Sequence, residues 1–296
     1  MLIRAATRAS PLALWQSERV AELLRASDPA IEVEVVVVHT SGDLDQTTPI
    51  EQMGGRGVFA KEVQSAVLDG RADIAVHSAK DLTSTPPDGL VIAAFPERAD
   101  VRDGLVGGTL DGLRHGAVVA TGSIRRKAQL AALRPDFDFV GLRGNMTTRL
   151  SKVGEVDAIV AACSGLDRID LGHHIDDRLD PQIFVPQVGQ GALAVECRVE
   201  DAAVCAAIAG IDDLMVRRTV SAERAYLAEL GGGCDLPVGA LASIDGEDVV
   251  LDALVSSFDG SRIVRGNDRG NDPTELGTAI ARRLLAEGGS ELLAER

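Results

Sequence analysis

Ala117-Val118-Val119-Ala120-Thr121-Gly122-Ser123-Ile124-Arg125-Arg126 is the stretch on which the fold turns. Its first half is a run of β-branched and small apolar residues, the composition of a strand. Thr121-Gly122-Ser123 breaks that run, and Ser123 is a residue type that caps the first turn of a helix. The cadence returns at Phe137–Leu142, followed by a helix from Asn145, and again at Ala158–Cys163, followed by Gly165-Leu166-Asp167-Arg168. Repeated strand–turn–helix units predict parallel sheets with functional groups at the C-terminal ends of the strands.

Working outward, Leu2–Ala6 predicts a strand, and Ser10-Pro11 opens a helix with an apolar stripe at Leu12, Trp15, Leu23 and Leu24. Val33–Val38 is nearly all valine, which suits a strand buried on both faces. Residues 42–57 form a long, Gly-rich polar stretch expected to be a mobile lid. Phe59, Val63, Ala66 and Val67 mark the next helix, closed by Gly70, and Ala72–Val76 is a strand running into His77-Ser78-Ala79-Lys80-Asp81. Ala192–Cys197 is a further strand, expected to cross back into the first lobe, which leaves linkers near 96–100 and 184–191 as a double hinge. From Asp212 the pattern changes to a helix (216–230), three strands (238–244, 248–257, 262–267) and a last helix (274–286). The fold class expected is α/β. It has two hinged, doubly wound lobes (1–96 with 192–210, and 99–185) and a smaller α+β C-terminal domain (212–296).

A formal charge of -15 and only six Phe, one Trp and one Tyr argue against nucleic acid as a partner, because phosphate binding needs a basic face and stacking platforms. No stretch reaches the roughly 18 uncharged apolar residues of a membrane span, and Arg4 and Arg8 interrupt any signal-peptide core. We therefore expect a cytoplasmic protein with no membrane partner, and a monomer because no exposed apolar stripe demands a second copy. Cys163, Cys197, Cys205 and Cys234 lack paired spacing and are expected to be reduced thiols. No metal site is expected; His173-His174 beside Asp176 and Asp177 is a polar stretch rather than a ligand pattern.

Three constellations carry chemistry. The first gathers cationic and hydroxyl groups where predicted strands give way to helices: Thr121, Ser123, Arg125 and Arg126, then Arg143, Gly144 and Arg149, then Arg168. Helix-start N–H groups and guanidinium forks are an anion site in outline. Several such sites imply a substrate with several carboxylates. Only four of the 30 basic residues are lysine, so an arginine means little here except by its placement. The second is His77-Ser78-Ala79-Lys80-Asp81, a strand delivering a carboxylate that can steady a developing cation and move protons. His77 is better read as core filling. The third is Gly231-Gly232-Gly233-Cys234, a thiol on a glycine-rich loop where the backbone can approach a ligand closely.

These segments together resemble the porphobilinogen deaminase family over nearly the whole chain. Thr7-Arg8-Ala9-Ser10-Pro11-Leu12-Ala13-Leu14-Trp15-Gln16 is similar to its opening motif and Val76–Asp81 to its catalytic segment. Arg125-Arg126, Leu142-Arg143-Gly144-Asn145, Val188-Gly189-Gln190-Gly191-Ala192 and Gly232-Gly233-Cys234 follow in the family's order. The resemblance implies an enzyme that condenses four porphobilinogen molecules head to tail, with loss of ammonia, into hydroxymethylbilane. The chain would grow on a dipyrromethane cofactor held covalently by Cys234, and hydrolysis would release it. It makes Asp81 the catalytic group. Lys80, Ser78, Thr121, Ser123, Arg125, Arg126, Arg143 and Gly144 would hold the cofactor. Arg8, Phe59, Arg149 and Arg168, with Arg125 and Arg126, would hold porphobilinogen and the growing chain. Ala120, Gly122, Thr83, Gly231, Gln52 and Arg56 depart from the family's usual residues, and none removes a group that the chemistry needs.

Two rival readings share the same residues. A periplasmic-type solute receptor would also have two hinged lobes closing on an anion, and another Arg-rich transferase could act on polyacids. The receptor has no use for the thiol at Cys234, and the second transferase predicts no covalent adduct on it.

Overall fold

The computed structural model describes residues 1–38, 60–232 and 235–295. The loop expected at 42–57, Phe59 and Cys234 lie outside the described residues. The described residues form two compact units, Met1–Ala99 with Gly191–Arg217, and Asp100–Gln190 with Arg218–Arg296. No described helix is long and apolar enough to cross a membrane.

The first unit is built on a five-stranded sheet of β1 (Leu2–Arg8), β2 (Glu32–Val38), β3 (Ile74–Ser78), β4 (Leu90–Ala94) and β10 (Leu193–Arg198), in the order β2-β1-β3-β10-β4. Strands β1, β2 and β3 run parallel, and β10 pairs antiparallel with both β3 and β4. Helices cover both faces. On one, Val20 and Leu24 of α1 (Pro11–Ser27) join Val204 and Ile208 of the helix Ala202–Ala209 over Ile3, Ile74, Val76, Leu193 and Val195. On the other, Val63, Ala66 and Val67 of α2 (Lys61–Leu68) pack on Ala6 and Ala75. Alternation of side chains along each strand divides these two cores.

Two features correct the sequence reading. Strand β2 is the edge of its sheet and most of its valines are only partly buried, so Val33–Val38 is not covered on both faces. The sheet is also mixed rather than parallel, because the returning β10 enters it in reverse. The short strand β4 and the helix Ala202–Ala209 carry no readable signal in the sequence; the latter is apolar nearly all round, with no stripe to show its period.

The second unit repeats the plan with β5 (Asp103–Val106), β6 (Val118–Ala120), β7 (Asp138–Val140), β8 (Ala158–Ala162) and β9 (Asp177–Arg178), in the order β7-β6-β8-β5-β9. Here β5 is the reversed strand. Helix α3 (Ile124–Leu133) covers one face through Leu130, and α4 (Met146–Leu150) and α5 (Cys163–Asp167) cover the other around Leu142, Ile159 and Leu166. Ser123 caps α3 and Asn145 caps α4, accepting from Arg126 N and Thr148 N respectively.

The C-terminal part of this unit is an antiparallel meander of β11 (Val238–Asp245), β12 (Asp248–Ser256) and β13 (Ile263–Gly270). Helices α7 (Leu214–Glu229) and α8 (Pro273–Leu284), numbered after Ala202–Ala209 as α6, pack against it through Ala222, Tyr226, Leu276 and Ile280. The meander docks on α3 at Gly260, where φ is +78° and an added Cβ would lie 2.1 Å from the Ala128 carbonyl oxygen. Only glycine satisfies both demands.

Candidate active site

Strand β3 ends at Ser78 and turns at once through a single 3-10 turn, Ala79–Asp81. The turn is fixed by Ala79 N donating to the Ala192 carbonyl (2.9 Å) and Leu82 N to the Ala79 carbonyl (3.3 Å). Ser78 Oγ accepts from Gln16 Nε2 at 2.7 Å, which ties the strand end to α1. The Asp81 carboxylate is therefore carried on a rigid strand end yet is exposed to solvent, with Lys80 half-buried beside it. Arg8, half-buried, closes the neighbouring parallel strand β1 at the same sheet edge. Behind Asp81 the chain is dry: His77 Nε2 lies 3.1 Å from Glu196 Oε2, and Gln64 Nε2 donates to that oxygen at 2.8 Å. His77 belongs to the core, as read from the sequence.

In the second unit the paired arginines turn inward. Asp103, fully buried at the start of β5, receives Arg125 Nη2 on one oxygen (2.8 Å) and Arg126 Nε on the other (2.8 Å). Arg125 Nη1 also donates to the Val185 carbonyl (2.8 Å), and its guanidinium lies over the Phe184 ring with 5.6 Å to the centroid. Arg126 Nη1 reaches the Val160 carbonyl at 3.2 Å. Burial pushes the Arg125 guanidinium down from its ordinary value, and attraction to Asp103 opposes that shift. Arg125 Nε is buried and finds no acceptor among the described residues.

Two guanidiniums facing one carboxylate leave an excess of one positive charge in a dry setting. Arg125 and Ser123 line a hollow together with Gln187, Val188, Leu227, Leu236 and Val238. Thr121 is buried at the end of β6 and accepts from Ser123 N at 3.2 Å, which shapes the turn into α3. Arg143 and Gly144 are half-buried; Gly144 takes φ +100°, and its carbonyl accepts from Arg149 Nε at 2.8 Å. Arg168 caps α5 and is 8% exposed, so it is no surface arginine.

Sequence reading missed Asp103. A carboxylate among Asp100, Arg102 and Asp103 carries no signal of which one enters the core. It also missed Glu223, fully buried, which accepts from Gly189 N (2.7 Å) and Ala242 N (2.8 Å) and so holds the glycine segment before Ala192.

The chain is thus an α/β protein of two wound sheets and a C-terminal meander, with two buried guanidiniums of α3 turned onto Asp103 in the second sheet. Two family models match it: "Porphobilinogen deaminase, dipyromethane cofactor binding domain" over residues 3–206 and "Porphobilinogen deaminase, C-terminal domain" over residues 217–286. Porphobilinogen deaminases of Roseiflexus castenholzii and of Roseiflexus sp. strain RS-1 are each 46% identical over 295 residues, covering 97% of this chain and 97% of the relative. The chain belongs to the porphobilinogen deaminase family and is an enzyme. Among solved structures, the methionine binding protein MetQ is similar at 12% identity and a TM-score of 0.43, covering 75% of this chain and 94% of the other. A lipoprotein from Ruminococcus gnavus is similar at 13% identity and a TM-score of 0.45, covering 73% and 93%.

Proposed function

We propose that this chain condenses four porphobilinogen molecules head to tail, with loss of ammonia, into the linear tetrapyrrole hydroxymethylbilane. It would do so on a dipyrromethane attached through Cys234, with the product released by hydrolysis. The observation that carries this reading is the buried cationic excess at Arg125, Arg126 and Asp103 in a chain 46% identical to named porphobilinogen deaminases over nearly its full length.

The residues present fit such a cofactor. Dipyrromethane carries carboxylates, and Arg125 offers a buried Nε with no acceptor among the described residues, on the wall of a hollow that Leu236 also lines. Leu236 follows Cys234 by two positions in the chain. Ser78, Lys80, Thr121, Ser123, Arg125, Arg126, Arg143 and Gly144 would hold the cofactor. Arg8, Phe59, Arg149 and Arg168, with the paired arginines, would hold the incoming substrate and its product. When bound, the dipyrromethane supplies the unsubstituted pyrrole carbon at which growth begins.

The chain's own residues do the rest. Loss of ammonia from porphobilinogen leaves a cationic azafulvenium, and a fixed carboxylate lowers that barrier by facing the positive charge as it forms. Asp81 suits this role because its turn is rigid and its oxygens remain open to a ligand. The same carboxylate can take the proton lost when each new carbon–carbon bond restores aromaticity. Arginine then compensates two further carboxylates per added unit.

We also propose a division into three domains (1–96 with 192–210, 99–185, 212–296) and a cytoplasmic monomer whose partners are small molecules rather than nucleic acid or membrane. The charge of -15 supports the last point. Intact-protein mass spectrometry of chain from a producing cell tests the central claim. The expected result is a covalent excess equal to two linked pyrroles, lost in Cys234→Ser; an unmodified wild-type mass overturns it.

A further inference from the structure

Cys197 and Cys205 stand apart from the proposed chemistry, and their sulfurs lie 3.1 Å from each other. Cys197 is fully buried in β10, facing the core under α1 and α6. Cys205 lies in α6 and is half-buried, whereas Cys197 is fully buried, so of the two thiols it is the one nearer solvent. A disulfide has sulfurs about 2.05 Å apart, so bonding asks for a shift of about 1 Å.

The connecting segment is already pinned. Asp201 caps α6 by accepting from Val204 N (3.2 Å) and also receives Arg198 Nη2 (3.1 Å). Arg198 Nη1 in turn donates to the Val67 and Ala72 carbonyls at 2.7 and 2.8 Å. Strand and helix are thus fixed with the two thiols facing, and little entropy remains to be lost on joining them.

We propose that Cys197 and Cys205 are a modification site, a dithiol that a small-molecule disulfide converts reversibly into an internal disulfide. Cys205 gives up its proton to solvent and, as thiolate, attacks one sulfur of the oxidant; the oxidant's S–S bond breaks, a mixed disulfide forms and one small thiolate leaves. Cys197 then gives up its proton to solvent, and its sulfur attacks the Cys205 sulfur. The Cys197–Cys205 bond forms, the mixed disulfide breaks, and a second small thiolate leaves. Both small thiolates take up protons. Two protein thiols are oxidised by two electrons, and one small disulfide is reduced to two thiols. The order follows from access, and burial, which pushes the Cys197 thiol up to about 12, keeps that group from reacting first. Cys163 belongs to the other compact unit and is buried, which leaves it out of this pair.

The sequence supplies a clean assay, because Arg198 lies between the two cysteines. Trypsin releases Cys197 in the peptide 179–198 and Cys205 in the peptide 199–217. Folded full-length protein is treated with glutathione disulfide, its remaining thiols are alkylated, and it is digested without reductant. The expected result is a joined 179–198/199–217 species that separates on reduction, together with a rise in Tm of roughly 5 °C from the new cross-link. Cys205→Ser should give neither. A glutathione adduct on Cys205 with no joined peptides overturns the proposal, as does an equal rise in Tm in Cys205→Ser.

Discussion

Two aspartates show how differently the two units use a carboxylate. Asp81 closes the 3-10 turn that follows a strand of the first sheet and is exposed, carried on that backbone turn. Asp103 begins a strand of the second sheet and is fully buried, with both oxygens spent on Arg125 and Arg126. The first is available to a ligand and contributes little to the fold. The second is unavailable, and without it two cations would stand in a dry interior. Charge at a strand end marks a site, while burial and partners decide whether the charge is reactive or supporting.

That contrast breaks most sharply in kinetics. Asp81→Asn should lower kcat about 1,000-fold with unchanged circular dichroism and Tm; retained turnover would move the chemistry elsewhere. Asp103→Ala should act in the opposite way, costing about 3–5 kcal/mol of stability because it orphans two buried guanidiniums. Urea unfolding checks this, and a change within about 0.5 kcal/mol would mean the pair does not depend on Asp103.

Smaller effects sharpen the same picture. Gly260→Ala forces a Cβ against the Ala128 carbonyl oxygen at positive φ and should cost about 2–3 kcal/mol by denaturant melts. Ser123→Ala removes the cap that starts the arginine helix and should cost about 1 kcal/mol. The smallest effect is with pH. Hydrogen bonds from the Ser257 hydroxyl and from the Ser261 backbone and hydroxyl hold the Asp259 carboxyl down at about 2. A carboxylate with a depressed folded value stabilises the fold above its unfolded value of about 4 and loses that contribution as pH falls toward 2. Tm should drop across that window by less in Ser257→Ala than in wild type.

Much of this was readable beforehand. Ser10, Ser123 and Asn145 were recognisable caps because local side-chain to backbone bonds need only neighbouring residues. The C-terminal meander was readable because its strands alternate and are joined by short connections, as at Gly246-Glu247 between the paired Asp245 and Asp248. Strand β5 is not legible, since four residues of Asp-Gly-Leu-Val show no period, and the edge position of β2 is not legible because a valine run does not reveal whether its outer edge is covered.

The order of residues is enough for the succession of strands and helices, the places where charge follows a strand, and the membership of a family. Tertiary structure alone decided that Arg125 and Arg126 face inward onto Asp103, that Glu223 props the segment before Ala192, and that Cys197 meets Cys205. The reason is physical: propensity and capping act over a few residues, whereas the cost of a buried charge depends on partners that only the folded chain brings together.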